Sequence, residues 1–247
     1  MSRTATSPRV ALFVTCLVDQ IRPSVGVATV GLLRRLGCDV TFDERQTCCG
    51  QPAYTTGYHD QARAVVQRNI ELIHEQNPDW VVTPSGSCAA MMHHYPEFLS
   101  GDSEFHERAR EIATKTFELS AFIVRVLRVT ETGSHFAGRV TCHDSCHALR
   151  DLGIRDEPRT LLRNVRGLEF VETDRSDACC GFGGMFSVRY PSISVAMVDE
   201  KIAALEDARV DAVVSTDVGC LMQIDSRLRA RGSSVQTLHL AELLCRT

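Results

Sequence analysis

The placement of cysteine constrains this chain more than any other feature of its sequence. Cys16, the pair Cys48-Cys49 and Cys88 in the first half are matched in the second by Cys146, the pair Cys179-Cys180 and Cys220. Corresponding positions are offset by 130, 131, 131 and 132 residues. Each pair is followed by a glycine, Gly50 or Gly181, and then by a helical pattern, an apolar run (WVVTP, DAVVSTD) and a Gly-containing turn bearing the last cysteine. The tails also correspond, Thr116-Phe117-Glu118-Leu119 against Thr237-Leu238-His239-Leu240. Chance does not hold four positions within two residues over such a distance, so the chain is an internal duplication. Whatever one half folds into, the other must fold into as well.

Each half alternates strand and helix. In the first, VALFVT reads as a buried strand, residues 27–36 as a helix closed by Gly37, and DVTF as a strand. A helix over 61–76 puts Ala62, Val65, Val66, Leu72 and Ile73 on one face, and WVVT and a charged helix over 103–115 follow. The second half repeats this with RVTCHDS, EPRTLLRNV, LEFVET, a helix over 193–207, DAVVST and VQTLHL. The expected class is α/β: two duplicated Rossmann-like halves with parallel sheets, related by a pseudo-twofold. The polar stretch 131–138 carries two glycines and no periodicity, and it divides the chain into a first repeat, 1–130, and a second, 131–247.

Composition excludes several classes. With 27 Lys and Arg against 31 Asp and Glu, a net charge of −4 gives no footprint for nucleic acid or a membrane surface. An apolar fraction of 44% supports a core and argues against disorder. Eleven cysteines, an odd number in 247 residues, do not make a secreted disulfide scaffold. The apolar run 10–14 is soon broken by Asp19 and Arg22, so it reads as a strand rather than a signal peptide. Residues 121–129 are interrupted by Arg125 and Arg128, and no stretch approaches the ~18 apolar residues of a membrane span. The expectation is a soluble, cytoplasmic protein with reduced thiols.

In parallel α/β folds, functional groups gather at the carboxyl ends of strands, and all eight duplicated cysteines fall there. Four in each half can converge at one edge, where helix N-termini favour thiolates. Soft thiolates select zinc, copper(I) or an iron–sulfur cluster. Structural zinc usually takes cysteines two to four residues apart, a spacing that no duplicated pair has, so zinc is the weaker candidate. Adjacent cysteines diverge and strain a disulfide between them, yet diverging thiolates suit different irons of one cluster. The candidate ligands are Cys16, Cys48, Cys49, Cys88, Cys146, Cys179, Cys180 and Cys220, with iron–sulfur ahead of cluster-free dithiol chemistry and of zinc.

The remaining candidates read as packing or surface. Cys38, Cys245 and Cys142 are core fillers, Cys142 matching Leu12. The CHDSCH stretch admits an alternative, in which Cys142 and Cys146 with His143 or His147 form an extra metal or redox site. Asp144 would orient a histidine or cap the turn. Arg150 and Arg189 could bind a carboxylate, against a default of surface ion pairs. His93-His94 read as a solvated helix end, and His59, His74 and His106 as surface.

The cysteine pattern, with the segments CHDSCHALRDLGI, ACCGFGGMFSV and STDVGCLMQI, resembles the cysteine-rich CCG domain family. That family includes the cysteine-rich subunit of heterodisulfide reductase and the iron–sulfur subunits of glycolate oxidase and anaerobic glycerol-3-phosphate dehydrogenase. Within it the chain is most similar to the lactate-utilization group, over essentially its whole length. The resemblance implies an oxidoreductase component: an iron–sulfur electron-transfer subunit, with 4Fe–4S clusters on the eight cysteines, in a complex oxidising L-lactate to pyruvate. Glycolate or another small 2-hydroxy acid is the alternative substrate. The partners implied are a ferredoxin-type iron–sulfur protein and a third small subunit. One departure bears on the cluster: where the heterodisulfide reductase protein has a fifth cysteine, this chain has Met91 and Gln223, so the five-ligand cluster type does not carry over. No dinucleotide fingerprint follows a strand; the glycines at 181, 183 and 184 belong to the CCG loop.

Overall fold

In a computed structural model describing residues 7–247, the apolar runs form two four-stranded sheets in which every strand is parallel to its neighbours. The first contains β1 (Arg9–Leu12), β2 (Asp39–Thr41), β3 (Trp80–Thr83) and β4 (Thr116–Glu118), in the order β2-β1-β3-β4. The second contains β5 (His135–Cys142), β6 (Arg166–Phe170), β7 (Ala212–Ser215) and β8 (Gln236–His239), in the order β6-β5-β7-β8. The duplication extends to register: Leu12 pairs with Val82, and its counterpart Cys142 pairs with Val214. Central strands are buried on both faces, as helix-covered parallel sheets require, which is why they read as unbroken apolar runs.

Helix boundaries follow from local chemistry. The helix expected over 27–36 spans Pro23–Arg35, since proline suits the first helical turn. It ends where Gly37, at φ +87°, lets the Cys38 N–H return to the Leu33 carbonyl at 3.0 Å. The helices expected over 61–76, 103–115 and 193–207 span His59–Gln76, Ser103–Lys115 and Pro191–Asp207. β5 starts at His135, inside the polar stretch 131–138. Its register against β6 shifts between His135 and Gly138, and Gly138 has φ +152° with Asp211 packed close by. Polar composition conceals this first half of the strand.

One apolar core runs through both halves, joining Leu12 and Val82 of the first sheet to Cys142 and Val214 of the second. The segment after each last strand contributes to it: Leu119–Ala121 with the π-helical turn Phe122–Val126, and the helix Leu240–Leu244. The latter packs on Pro23–Arg35, where the Arg35 guanidinium donates to the Leu244 carbonyl and Ser24 Oγ to Glu242 at 2.7 Å. In return, Arg125 reaches Glu157 at 2.6 Å and the Gly153 carbonyl at 2.9 Å. Each half thus straps the other. Cys38 and Cys142 lie in the shared core, and Cys245 is half-buried against Gly31, all three as packing.

Candidate metal centre

In each sheet the chain leaves the two central strands in opposite directions, which opens a crevice at their carboxyl ends. The duplicated cysteines stand around these two crevices. Cys16 begins the helix Cys16–Ile21, and Cys88 lies in the first turn of the helix Gly86–Phe98, where Ser85 Oγ caps the Cys88 N–H. Cys146 and Cys220 hold the same places in the helices Cys146–Arg150 and Val218–Ala230, the latter capped by Asp217 accepting from the Gly219 N–H at 3.1 Å. The CCG pairs arrive on loops that turn at Gly50 (φ +91°) and Gly181 (φ +82°). A side chain at Gly181 would also meet the Ser194 carbonyl oxygen at 2.5 Å, so glycine is required there twice over.

The two crevices face each other. All eight cysteines line a single cavity of about 250 Å³, along with Thr15, Ser85, His147 and Asp217. The structure thus brings all eight cysteines singled out in the sequence to one space, four from each half. Backbone and side chains clamp this junction. Asp217 accepts from the Ser87 N–H at 3.0 Å and from Ser85 Oγ at 3.2 Å, and the Gly86 N–H reaches the Thr216 carbonyl at 3.3 Å. His239 Nε2 donates to the Pro84 carbonyl at 3.0 Å. A Cβ on Gly86 would stand 2.6 Å from that of Ala148, so only glycine permits this approach of the two halves.

Within each set the sulfurs share protons. Cys16 Sγ donates to Cys48 Sγ across 3.8 Å, and with help from Cys49 it pulls the Cys48 thiol down to about 3 while Cys16 and Cys49 are pushed up. In the second set Cys146 and Cys180 pull Cys179 down to about 2, aided by the Gly181 N–H at 3.3 Å, and are themselves pushed up. Cys220 accepts from Cys180, yet burial holds its thiol up. Neighbouring buried thiols resist ionising together. Full deprotonation of such a set needs a compensating cation, which is what a soft metal supplies on binding.

The surroundings of the two sets differ. Behind the first lie Phe13, Asn69 donating to the Cys48 carbonyl at 2.8 Å, and Tyr95 donating to the Cys49 carbonyl at 2.8 Å. Behind the second lie His143, Lys201 and an ion-pair triad. The Lys201 ammonium is buried and donates to the Arg175 carbonyl at 2.8 Å. Arg159 binds Asp144 through both carboxylate oxygens at 2.7 and 2.9 Å, with these two side chains only 3% and 2% exposed, and also binds Glu172 at 2.6 Å. His143 follows the end of β5, its N–H bound to the Val214 carbonyl at 2.7 Å, and among the described residues neither ring nitrogen has a hydrogen-bond partner. One ring nitrogen and the sulfurs of Cys180 and Cys220 all lie within 4.8 Å of one another. Burial, reinforced by Lys201, holds the imidazole down to about 3 and so neutral. Eight thiols and an unpartnered neutral imidazole are a donor set that fits a soft or borderline metal group.

Several sequence expectations resolve differently. Proximity in the sequence links His143 to Cys146, but the fold groups it with Cys180 and Cys220. Asp144 neither orients a histidine nor caps the turn; it is the buried partner of Arg159, a residue that carries no signal in the sequence. His147 does line the cavity, with Nδ1 bound to Asp151 at 2.6 Å and Nε2 beside Gln51 at 3.3 Å. Met91 is buried beside Cys49 and Cys88, and Gln223 donates to Ser194 Oγ at 2.8 Å; neither lines the cavity. Arg150 and Arg189 are exposed and lie outside it. His59, His74 and His93 are exposed, whereas His94 meets the Tyr54 hydroxyl at 2.7 Å. His106 is half-buried, because the Pro96 carbonyl accepts from its ring at 2.9 Å.

The family model described as a cysteine-rich domain, CCG, matches residues 10–93 and again 140–225. The lactate utilization protein A of Anoxybacillus flavithermus is 48% identical to the chain, over 95% of it and 98% of that relative. The lactate utilization protein A of Bacillus subtilis is 47% identical, over 96% and 98%. Among solved structures, a glutamate racemase from Francisella tularensis aligns with 97% of the chain and 78% of its own at a TM-score of 0.40 and 12% identity.

Proposed function

The chain belongs to the lactate utilization protein A family, built on two CCG cysteine-rich domains, and from that premise we propose that it is the iron–sulfur electron-transfer subunit of an oxidoreductase converting L-lactate to pyruvate. The observation that carries this reading is the single cavity lined by eight thiols, four from each repeat, at two strand switch points. We take residues 1–130 and 131–247 as the units of the duplication. The substrate rests on the relatives' name; no residue in the cavity distinguishes lactate from glycolate or another small 2-hydroxy acid. A ferredoxin-type iron–sulfur protein and a third small subunit are the proposed partners, in the cytoplasm. Among the described residues no helix is long and apolar enough to cross a membrane.

Cys16, Cys48, Cys49 and Cys88 would hold one iron–sulfur group, and Cys146, Cys179, Cys180 and Cys220 a second. Such groups supply one-electron transfer. The chain's own contribution is electrostatic and steric. The N-termini of Gly86–Phe98 and Val218–Ala230 point at the site and favour negative charge on the sulfurs. Buried walls restrict water, and the turns at Gly50 and Gly181 set the diverging cysteine pairs against the cavity. His147, oriented by Asp151, offers the cavity a hydrogen-bonding imidazole.

Anaerobic purification tests the reading. The expected protein is brown, with iron and sulfide in equal amounts, and Cys48→Ser or Cys179→Ser each removes the iron of its own half. A colourless protein whose thiols cycle with a dithiol reductant, or one holding zinc without iron, would overturn it. The substrate is tested separately by deleting the coding region. Undiminished growth on L-lactate, in a strain without another lactate oxidiser, removes lactate from the proposal.

A further inference from the structure

The two halves place the duplicated cysteines in the same relation, and one exchange beside them brings a metal-binding side chain to the second set. Phe13 packs with Cys49 and Cys88 in the first half, and its counterpart at an offset of 130 is His143, grouped with Cys180 and Cys220 in the second. We propose that His143 is a ligand, with Cys180 and Cys220, of the metal group held by the second cysteine set, so that the two sets are chemically unequal. The inference rests on the iron–sulfur reading given above and deepens it.

Three observations support it. His143 is 3% exposed with both ring nitrogens lacking a partner. Leaving a buried polar atom unpaired is unfavourable because its lost hydration is not replaced, so a buried histidine in that condition calls for a partner of another kind. Its nitrogen and the two sulfurs lie within 4.8 Å of one another, close enough for a small side-chain adjustment to bring all three onto one metal atom. Finally, the first half puts phenylalanine at this place, so the backbone and core do not demand a polar group there. The second set also lacks a donor at Gln223, whose amide is occupied by Ser194. His143 approaches from the strand side, not from the helix that carries Cys220 and Gln223.

Because the first half has phenylalanine at this place, His143 adds to the four thiolates of the second set a neutral nitrogen donor that the first set does not have. The ligand set tunes the potential of an iron–sulfur group, so the two sites differ in reduction potential.

The test is pulsed electron paramagnetic resonance on the anaerobically reconstituted full chain. Cys48→Ser is used to silence the first site. The expected result is a strong nitrogen coupling from a directly bound imidazole, with isotope-labelled histidine assigning it. His143→Phe, which installs the side chain the first half already uses, should abolish the coupling and shift the potential of the second site toward that of the first. Iron and sulfide retained in both halves, without nitrogen coupling in the wild-type chain, would overturn the His143 assignment alone. Failure to retain iron and sulfide at all would overturn the iron–sulfur reading and this inference together. Should His143→Phe not fold, the wild-type nitrogen coupling still decides the question.

Discussion

The walls behind the two cysteine sets contrast more sharply than the sets themselves. The first is backed by the neutral groups Phe13, Asn69 and Tyr95. At the positions matching Phe13 and Asn69 the second has His143 and Lys201, and it adds the buried ion pair of Asp144 and Arg159, whose counterparts in the first half are Val14 and Thr29. Duplication has kept the thiols, the glycine turns and the strand register while letting the surrounding shell diverge. Two sites with the same four thiols need not have the same charge, potential or stability.

The largest effect that would test this contrast lies at the ion-pair triad. Removing Arg159 leaves Asp144 buried without its partner, so Arg159→Ala is expected to cost about 3–5 kcal/mol in equilibrium denaturation. Thr29→Ala, the matching change, loses only a hydroxyl that returns to the Val25 carbonyl at 2.7 Å, and should cost about 1 kcal/mol or less. Equal losses at the two positions would show that the charged shell of the second half has no special energetic role.

Next in size is a pair of opposing pH responses. Glu118 and His239 close the last strand of each half and cap the segment that follows. Glu118 accepts from the Ser120 and Ala121 N–H groups at 2.9 and 3.2 Å through one oxygen, and the other has no partner. Burial pushes its carboxyl from 4.5 up to about 7. Within that window the folded chain keeps a proton that the unfolded chain has released, so stability falls as pH rises. His239 accepts from the Ala241 N–H at 3.1 Å through Nδ1, and burial lowers it from 6.5 to about 4. There the unfolded chain takes up a proton that the folded chain refuses, so stability rises with pH. The two contributions oppose each other at about 3 kcal/mol apiece. Glu118→Gln should therefore steepen the gain in stability between pH 4 and 6.5, and His239→Gln should leave a net decline between pH 4.5 and 7. Denaturation midpoints across that range read both directly, and an unchanged slope in either variant would remove that group from the balance.

The smallest expected effect is at Tyr95, whose hydroxyl holds the Cys49 carbonyl. Tyr95→Phe should lower stability by about 1 kcal/mol. Because this contact belongs to the neutral shell, iron retention in the second half should be unaffected while the first half loses iron faster to a chelator. Equal loss from both halves would argue that the two sites behave as one unit.

Much of this architecture is legible in the sequence for definite reasons. Parallel strands buried on both faces announce themselves as apolar runs, and a repeat of cysteines with fixed offsets marks both the duplication and the strand ends. The start of β5 at His135 is hidden, because that end of the strand is half-exposed and bears polar residues and Gly138. His143 is visible only as one of two histidines near Cys146. Nearness along the chain suggests the wrong partners, since Cys180 and Cys220 arrive from other loops. A position-by-position alignment of the halves contains the missing signal, the exchange of Phe13 for His143 three residues before the matched cysteines. Arg159 gives no comparable sign, because an arginine in a charged helix looks like a surface residue until Asp144 is brought to it.

The two repeats, the parallel α/β class and the eight thiols at strand ends can be read along the chain, because periodicity and residue type are local properties. That the two edges face each other across one cavity, that the halves share a core, and that a histidine stands behind one set and a phenylalanine behind the other emerge only on folding. These depend on contacts between segments far apart in the chain. The close approach at Gly86 and the Ser85–Asp217 contact, 132 residues apart, bring them together.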